Sequence, residues 1–255
     1  MTRPLFTGVA VALVTLFDDD GEVDAKATAE HAATLVGLGV RAVVVAGSTG
    51  EAATLTEAER TALLTEARQA VPSGTPVLAG TGAPSRRQAA ALTRAAVDHG
   101  ADGLLVLSPP GAGDLRGYYE AVAAVAGETP VLAYHFPRTS PPGIPVELLP
   151  ELPVQGVKDS SGDPDRLLAE LTGYSGWLYT GSSALLAFAG PLGCQGAILA
   201  LANAEPERCV AAFAGDTDAQ LALAEAHVAA HRDFPRGLKA LVADRFGTSR
   251  VARLG

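Results

Sequence analysis

The sequence has few cysteines and few lysines, and the shortage of cysteine excludes two kinds of site. Its 255 residues include two cysteines, Cys194 and Cys209, and three lysines, Lys26, Lys158 and Lys239. Two cysteines at this spacing form neither a zinc motif nor a disulfide framework. We therefore expect reduced thiols, no metal site and a cytoplasmic location.

The sequence also lacks a basic stripe and a long apolar run. The net charge of −9 argues against a nucleic-acid partner, because arginines are scattered along the chain. No stretch reaches the ~18 apolar residues that a membrane span requires. The apolar segment Val9–Phe17 is followed by the acidic segment Asp18–Glu22, where a signal peptide would have small residues. It predicts a first strand rather than a secretion signal.

What the chain does contain is a repeated alternation of apolar runs and segments of helical period. The eight apolar runs predict strands within Gly8–Phe17, Ala42–Gly47, Pro76–Gly82, Gly103–Pro109, Pro130–Pro137, Val154–Ser161, Trp177–Ser183 and Gly193–Asn203. Helices are predicted near 24–38, 56–71, 84–99, 114–126, 145–151, 164–172, 183–191, 205–230 and 236–246.

This alternation predicts an α/β fold, a closed (β/α)8 TIM barrel with a short C-terminal helical extension. Strands that are apolar on both faces, each followed by a helix, indicate a parallel sheet covered by helices. Eight units of about 32 residues match the size of such a barrel. We expect one domain, with the barrel core in residues 1–204 and C-terminal helices packed on it in residues 205–255. The segment Gly80–Gly82 lacks the third glycine of a dinucleotide-binding turn.

Lys158 is the most informative residue, since it ends an apolar run that predicts a buried strand. A lysine removed from water loses part of its preference for the charged form, so its pKa falls. The neutral amine can then attack a ketone and form a Schiff base.

Other reactive groups follow neighbouring strands at the same end of the predicted barrel, where the active sites of such barrels lie. The second strand leads into Gly47–Glu51, which contains Ser48 and Thr49. Tyr134 and Arg138 flank the end of the fifth strand, and Gly181 ends the seventh. We expect these side chains to surround Lys158.

Four motifs in this order resemble those of the pyruvate-dependent Schiff-base aldolases typified by dihydrodipicolinate synthase and N-acetylneuraminate lyase. They are Gly47–Glu51, Tyr134-x-x-Pro137, Gly156–Gly162 and Gly193–Ile198. The resemblance extends from the first strand to about residue 210 and implies a metal-independent lyase. The resemblance implies that such a lyase makes or cleaves a carbon–carbon bond of a 2-keto acid through an imine on Lys158, with no other cofactor.

The resemblance also implies roles for the other residues. Ser48, Thr49 and backbone N–H groups are expected to hold the keto acid's carboxylate, because glycine-flanked turns expose N–H groups to anions. Tyr134 is expected to relay protons with the Thr49 hydroxyl as its partner. Gly181 and Ile198 complete the expected substrate-binding set, with the Ile198 carbonyl near the lysine nitrogen.

The chain departs from the family after its fourth strand, where members commonly carry Pro-Tyr-Tyr and this chain has Ser108–Asp114, without an aromatic residue. His135 replaces a common asparagine. Arg138, the expected ligand of a second carboxylate, directly follows Pro137, one residue earlier than in dihydrodipicolinate synthases.

Three functions remain open at this stage. The first is a lyase acting on a 2-keto acid and an aldehyde, either like dihydrodipicolinate synthase or like a 2-keto-3-deoxy sugar-acid aldolase. The second is a keto-acid-binding or regulatory barrel without turnover. The third is a phosphate-binding isomerase with its site near Gly181 or Gly196. The resemblance implies a homo-oligomer, a dimer or a tetramer.

Overall fold

A computed structural model describes residues 3–111 and 113–254. Eight parallel strands form a closed barrel in chain order, with β1 pairing with both β2 and β8. The predicted barrel is confirmed, although each strand is shorter than its apolar run. The strands are β1 (Gly8–Ala12), β2 (Ala42–Val45), β3 (Val77–Gly80), β4 (Gly103–Leu107), β5 (Val131–His135), β6 (Gly156–Asp159), β7 (Trp177–Thr180) and β8 (Gly196–Leu199).

Helices follow the strands and cover the outside of the barrel. They are α1 (Ala25–Gly37), α2 (Glu57–Ala70), α3 (Arg86–Asp98), α4 (Leu115–Ala126), α5 (Pro164–Gly173), α6 (Leu186–Ala189), α7 (Pro206–Phe213), α8 (Thr217–Ala222), α9 (Ala224–Arg232) and α10 (Arg236–Phe246). Short 3₁₀ helices cover Ala52–Thr54, Val146–Glu151 and Leu201–Asn203.

Helix α2 begins where its sequence predicts. The Thr56 side chain accepts a hydrogen bond from the Glu59 backbone N–H, and the Glu59 carboxylate accepts one from Thr56. This reciprocal cap satisfies two backbone donors that the first turn leaves free. Helix α5 begins at Pro164, where the missing N–H costs no hydrogen bond.

The single helix predicted over 205–230 is wrong, because the chain forms three helices there. Gly215 has φ of 103°, a left-handed conformation that ends α7. The Asp216 side chain then accepts a hydrogen bond from the Ala219 N–H and starts α8. Likewise, the helix predicted over 183–191 is limited to α6, and the segment 145–151 forms a 3₁₀ helix.

Alternation along the strands separates two cores. One lies between barrel and helices, and the other fills the barrel. Inside the barrel, Tyr134 of β5 pairs in register with Lys158 of β6, which pairs in turn with Tyr179 of β7. Because register neighbours point to the same face of a sheet, three strands direct these side chains into the barrel together.

Within the described residues, no helix combines the length and the apolar character needed to cross a membrane.

Candidate active site

Lys158 carries its amine into the interior of the barrel. Its side chain is only 4% exposed, and Nζ lies 4.2 Å from the centroid of the Tyr134 ring. Burial lowers the pKa of the ammonium from its usual 10.5 to about 7. A large fraction of the amine is therefore neutral near physiological pH, as the sequence predicts.

The nearest acidic residue in sequence does not oppose this effect. Asp159 follows Lys158 on β6, so its side chain points to the opposite face of the strand. There it accepts hydrogen bonds from Ser161 and lies 3.7 Å from Nε of Arg166. Arg166 also contacts Glu170 of α5 at 2.8 Å. Asp159 and Glu170 therefore contact Arg166 on the outer face of β6 and not Lys158.

Tyr134 presents a protonated phenol beside the amine. Burial raises the pKa of the phenol to about 12, partly offset by hydrogen bonds with the Ser160 and Ser48 hydroxyls. The Phe136 ring stacks on the Tyr134 ring at 5.8 Å between centroids. The sequence predicts the Thr49 hydroxyl as the partner of this phenol. In the structure the phenol hydrogen-bonds the hydroxyls of Ser48 and Ser160.

The turn after β2 places Ser48 at this phenol. Ala46 and Glu51 lie at either end of the turn and have φ of 51° and 57°. Residues other than glycine adopt this left-handed conformation at a cost and do so mainly where the surrounding structure requires it. The turn is also held from outside, because the buried Thr15 hydroxyl of the segment after β1 donates to the Gly50 carbonyl at 2.7 Å. Thr49 itself is buried. The turn is therefore held in one conformation.

Gly181 directly follows β7, and Ile198 lies near the end of β8. A Cβ atom at Gly181 would lie 2.8 Å from Cε of Lys158 and would collide with Oγ of Ser160. The absent side chain therefore leaves space for the lysine. Ile198 of β8 is fully buried and belongs to the core inside the barrel.

Ser160 is a site residue that the sequence reasoning missed. Its hydroxyl lies at the Tyr134 phenol and would be struck by a side chain at Gly181. Strand alternation could have identified it, because residues two apart share a face and Ser160 is two residues after Lys158.

Arg138 is not close-packed like the other predicted site residues. It is exposed in the loop after β5. His135 organises this loop, since its Nδ1 accepts a hydrogen bond from the Ile144 N–H at 2.8 Å. Burial lowers the pKa of His135 to about 4, so the ring is neutral and can accept.

The loop after β4 contacts the loop after β5. Gly111 N–H donates to the Pro141 carbonyl at 2.8 Å, and Ala112 lies outside the described residues. The tyrosines that follow lie on α4, where Tyr118 hydrogen-bonds Ala83 and Tyr119 donates to the Val106 carbonyl. Both hydroxyls fix α4 to the barrel, and neither replaces the missing aromatic residue of the loop.

The His227–His231 pair does not extend into a metal centre. His227 Nδ1 lies 2.8 Å from Oγ of Ser183, and the His231 ring lies 4.3 Å from the His227 ring. Across residues 3–111 and 113–254, no three His, Cys, Asp or Glu side chains are grouped as metal ligands.

The buried lysine predicts a specific dependence of stability on pH. The folded pKa of Lys158 is about 7 and its usual value is 10.5, so between these values the unfolded chain binds more protons. The free energy of unfolding then rises with pH in this window, by up to about 1.4 kcal/mol per pH unit. Urea unfolding measures the free energy of unfolding of Lys158→Met minus that of the wild type. This difference should fall from about pH 7 to about pH 10, because the cost of the buried ammonium is lost from the wild type over that range. A difference independent of pH would contradict the lowered pKa.

Comparison with known proteins identifies the family. The sequence profile described as the Dihydrodipicolinate synthetase family matches residues 5–241. A 4-hydroxy-tetrahydrodipicolinate synthase of Salinibacter ruber is 38% identical over 232 residues, which are 86% of this chain and 76% of that protein.

Solved structures show the same fold. Dihydrodipicolinate synthase from Agrobacterium tumefaciens superposes with a TM-score of 0.88 at 28% identity, covering 98% of this chain and 93% of that one. YagE of E. coli K12, a dihydrodipicolinic acid synthase family protein solved with pyruvate, gives 0.89 at 26% identity, covering 98% and 92%. The chain belongs to the dihydrodipicolinate synthetase family of Schiff-base-forming lyases.

Proposed function

We propose that this protein makes or cleaves a carbon–carbon bond of a pyruvate-type 2-keto acid through an imine on Lys158. The observation that carries the proposal is the buried amine, whose pKa is about 7 and whose nitrogen lies 4.2 Å from the Tyr134 ring centroid. An amine that is neutral at physiological pH is the nucleophile that imine formation requires.

The chemistry proceeds in balanced steps. The Lys158 nitrogen attacks the ketone carbon, and the resulting carbinolamine gains a proton on its hydroxyl and loses water. The iminium left behind draws electrons from the adjacent carbon, which either gives a proton to the Tyr134 phenolate or, in cleavage, releases its substituent as an aldehyde whose hydroxyl proton passes to the same base. In the synthetic direction the resulting enamine attacks an aldehyde, whose oxygen takes up a proton. In the cleavage direction the enamine carbon is protonated instead, and both routes restore the iminium. Water finally returns to the iminium and releases the product and the free amine.

We assign the proton transfers to Tyr134. Its phenol keeps its proton because burial raises its pKa to about 12, and it borders the amine. A phenol in this position can donate to the departing hydroxyl and recover the proton afterwards. Thr49 stays in the catalytic set as predicted from the sequence, and Ser160 joins it through its contact with the phenol.

The remaining residues bind substrate in this proposal. The Ser48 and Thr49 hydroxyls and the N–H groups of their turn hold the keto acid's carboxylate. Gly181 and the Ile198 carbonyl border the imine. Arg138 is exposed in the loop beyond β5 and binds the carboxylate of a second substrate.

Two acceptor aldehydes fit this proposal. The relationship to a 4-hydroxy-tetrahydrodipicolinate synthase favours aspartate semialdehyde. A sugar-derived aldehyde, whose condensation with pyruvate gives a 2-keto-3-deoxy sugar acid, also fits, because the loop after β4 lacks the family's aromatic residue. Product formation from pyruvate with aspartate semialdehyde or with sugar-derived aldehydes separates them. Pyruvate binding without any product would support a barrel that has lost turnover.

Four further properties belong to the same proposal. The enzyme needs no metal or organic cofactor, since the imine itself withdraws the electrons. It works in the cytoplasm, as a dimer or a tetramer. Residues 1–204 and 205–255 act as one domain, which is supported by the hydrogen bond from Arg245 to the Ala204 carbonyl.

Reductive trapping tests the imine directly. Borohydride added with pyruvate should attach the reduced keto acid to Lys158, detected by peptide mass spectrometry. Lys158→Met should trap nothing, and Tyr134→Phe should trap ~10²-fold or more slowly, because a positioned acid or base contributes that factor. Lys26→Met is the matched control, since Lys26 is exposed on α1. An unmodified Lys158 in the wild type would refute the proposal.

Gly181→Ala tests the close packing around the amine. The new methyl group would push Lys158 Cε and Ser160 Oγ from their positions. Trapping should slow by ~10²-fold, the effect of a misplacement of about 1 Å. Gly173→Ala is the control, since a Cβ there meets nothing within 4 Å. Equal trapping rates for both variants would show that Gly181 is not needed for the geometry of the amine.

A further inference from the structure

A second buried lysine lies outside the groups already described. Lys239 of α10 and Glu51, the last residue of the turn after β2, both have fully buried side chains. Nζ and Oε1 are 2.6 Å apart. Burial lowers the pKa of Lys239, and the contact with Glu51 counteracts this.

The segment after α10 closes over this ion pair. Lys239 Nζ donates to the Val251 carbonyl at 2.6 Å, and the Leu254 N–H donates to Glu51 Oε2 at 2.6 Å. Each charged group thus has a backbone partner from the same short segment. We call Glu51, Lys239 and residues 251–254 the clamp.

Arg253 fastens the clamp from the outside. Its guanidinium contacts Glu59 of α2 at 2.6 Å, and its Nε donates to the Gly21 carbonyl at 2.7 Å. The Phe17 ring lies near two cations, 4.7 Å from Arg253 and 4.2 Å from Lys239. Residues 251–254 therefore connect α10, α2 and the loops after β1 and β2.

The clamp acts on the turn through Glu51. This residue has φ of 57°, and its N–H donates to the Ser48 carbonyl at 3.2 Å. Its own carbonyl accepts a hydrogen bond from the Thr54 hydroxyl at 2.9 Å. A change in the position of Glu51 would therefore move Ser48, whose hydroxyl meets the Tyr134 phenol.

The energetics of a buried ion pair favour a role in geometry over one in stability alone. Two charges taken out of water recover little net stability from each other, and apolar residues of similar volume often do as well. Removal of only one partner is costly, since it leaves a buried charge unpaired. Conformations in which residues 251–254 move away from the turn are therefore costly, because Glu51 and Lys239 would lose their backbone partners.

We propose that the clamp is a positioning device that holds the Ser48–Thr49 turn in the conformation that binds the keto acid's carboxylate. Glu51, Lys239 and Arg253 are positioning residues, since they act through the turn. This inference rests on the proposed function, because it assumes that the turn binds pyruvate.

The test separates binding from turnover. In Glu51→Gln and in Lys239→Met, the KM for pyruvate should rise about tenfold or more, with a smaller fall in kcat, because interactions lost equally from the bound and transition states appear in KM. Arg245→Met is the matched control. Arg245 also lies on α10, but it pairs with Glu207 and the Ala204 carbonyl, away from the turn. It should lower the Tm and leave the KM within about twofold.

If Glu51→Gln and Lys239→Met lower the Tm as Arg245→Met does but keep the wild-type KM, the clamp is purely structural and the inference is overturned. Should both fail to fold, Arg253→Met decides the question, because that side chain is 20% exposed and its loss leaves the buried pair intact. A rise in its KM supports the inference, and an unchanged KM overturns it.

Trapping of the wild type keeps the two proposals apart. A pyruvate adduct on wild-type Lys158 with no change of KM in the variants leaves the proposed function standing and overturns only the clamp. The absence of an adduct in the wild type overturns both.

Discussion

The chemistry of the site depends on a lysine amine that is kept out of water and that pairs with no carboxylate among the described residues. Lys158 is 4% exposed and faces an aromatic ring, and the neighbouring Asp159 points away from it. Because burial removes the hydration of the ammonium, the neutral form gains and the pKa falls to about 7. Tyr134 borders this amine, and the absent side chain of Gly181 leaves space for it.

The barrel supplies the means to keep the amine dry. Parallel register places Tyr134, Lys158 and Tyr179 side by side on three adjacent strands. Gly181 directly follows β7, two residues after Tyr179, and leaves room for the lysine side chain. Rigid strands thus hold the amine and the phenol, while the turn after β2, the proposed binder of the carboxylate, is fixed by contacts from distant parts of the chain.

Sequence patterns predict the parts of this arrangement that depend on local rules. Eight apolar runs predict eight strands, and the low-polarity context of Lys158 predicts its burial. The same reasoning misses contacts that depend on tertiary packing. Ser160 becomes a partner of Tyr134 only when β5 and β6 pair, and Lys239 reaches Glu51 only after the barrel closes. The region after β8 is mispredicted as one helix, since Gly215 and Asp216 outweigh a continuous helical period.

The scarcity of lysine allows the central claim to be measured at single residues. With ¹³C-labelled lysine the NMR spectrum contains signals from only Lys26, Lys158 and Lys239, and Lys158→Met identifies the one of interest. Titration with pH should move the Lys158 signal with a midpoint near 7. A Lys158 midpoint close to the ordinary lysine value of about 10.4 would contradict the account, since the amine would then be charged at the pH at which it must attack.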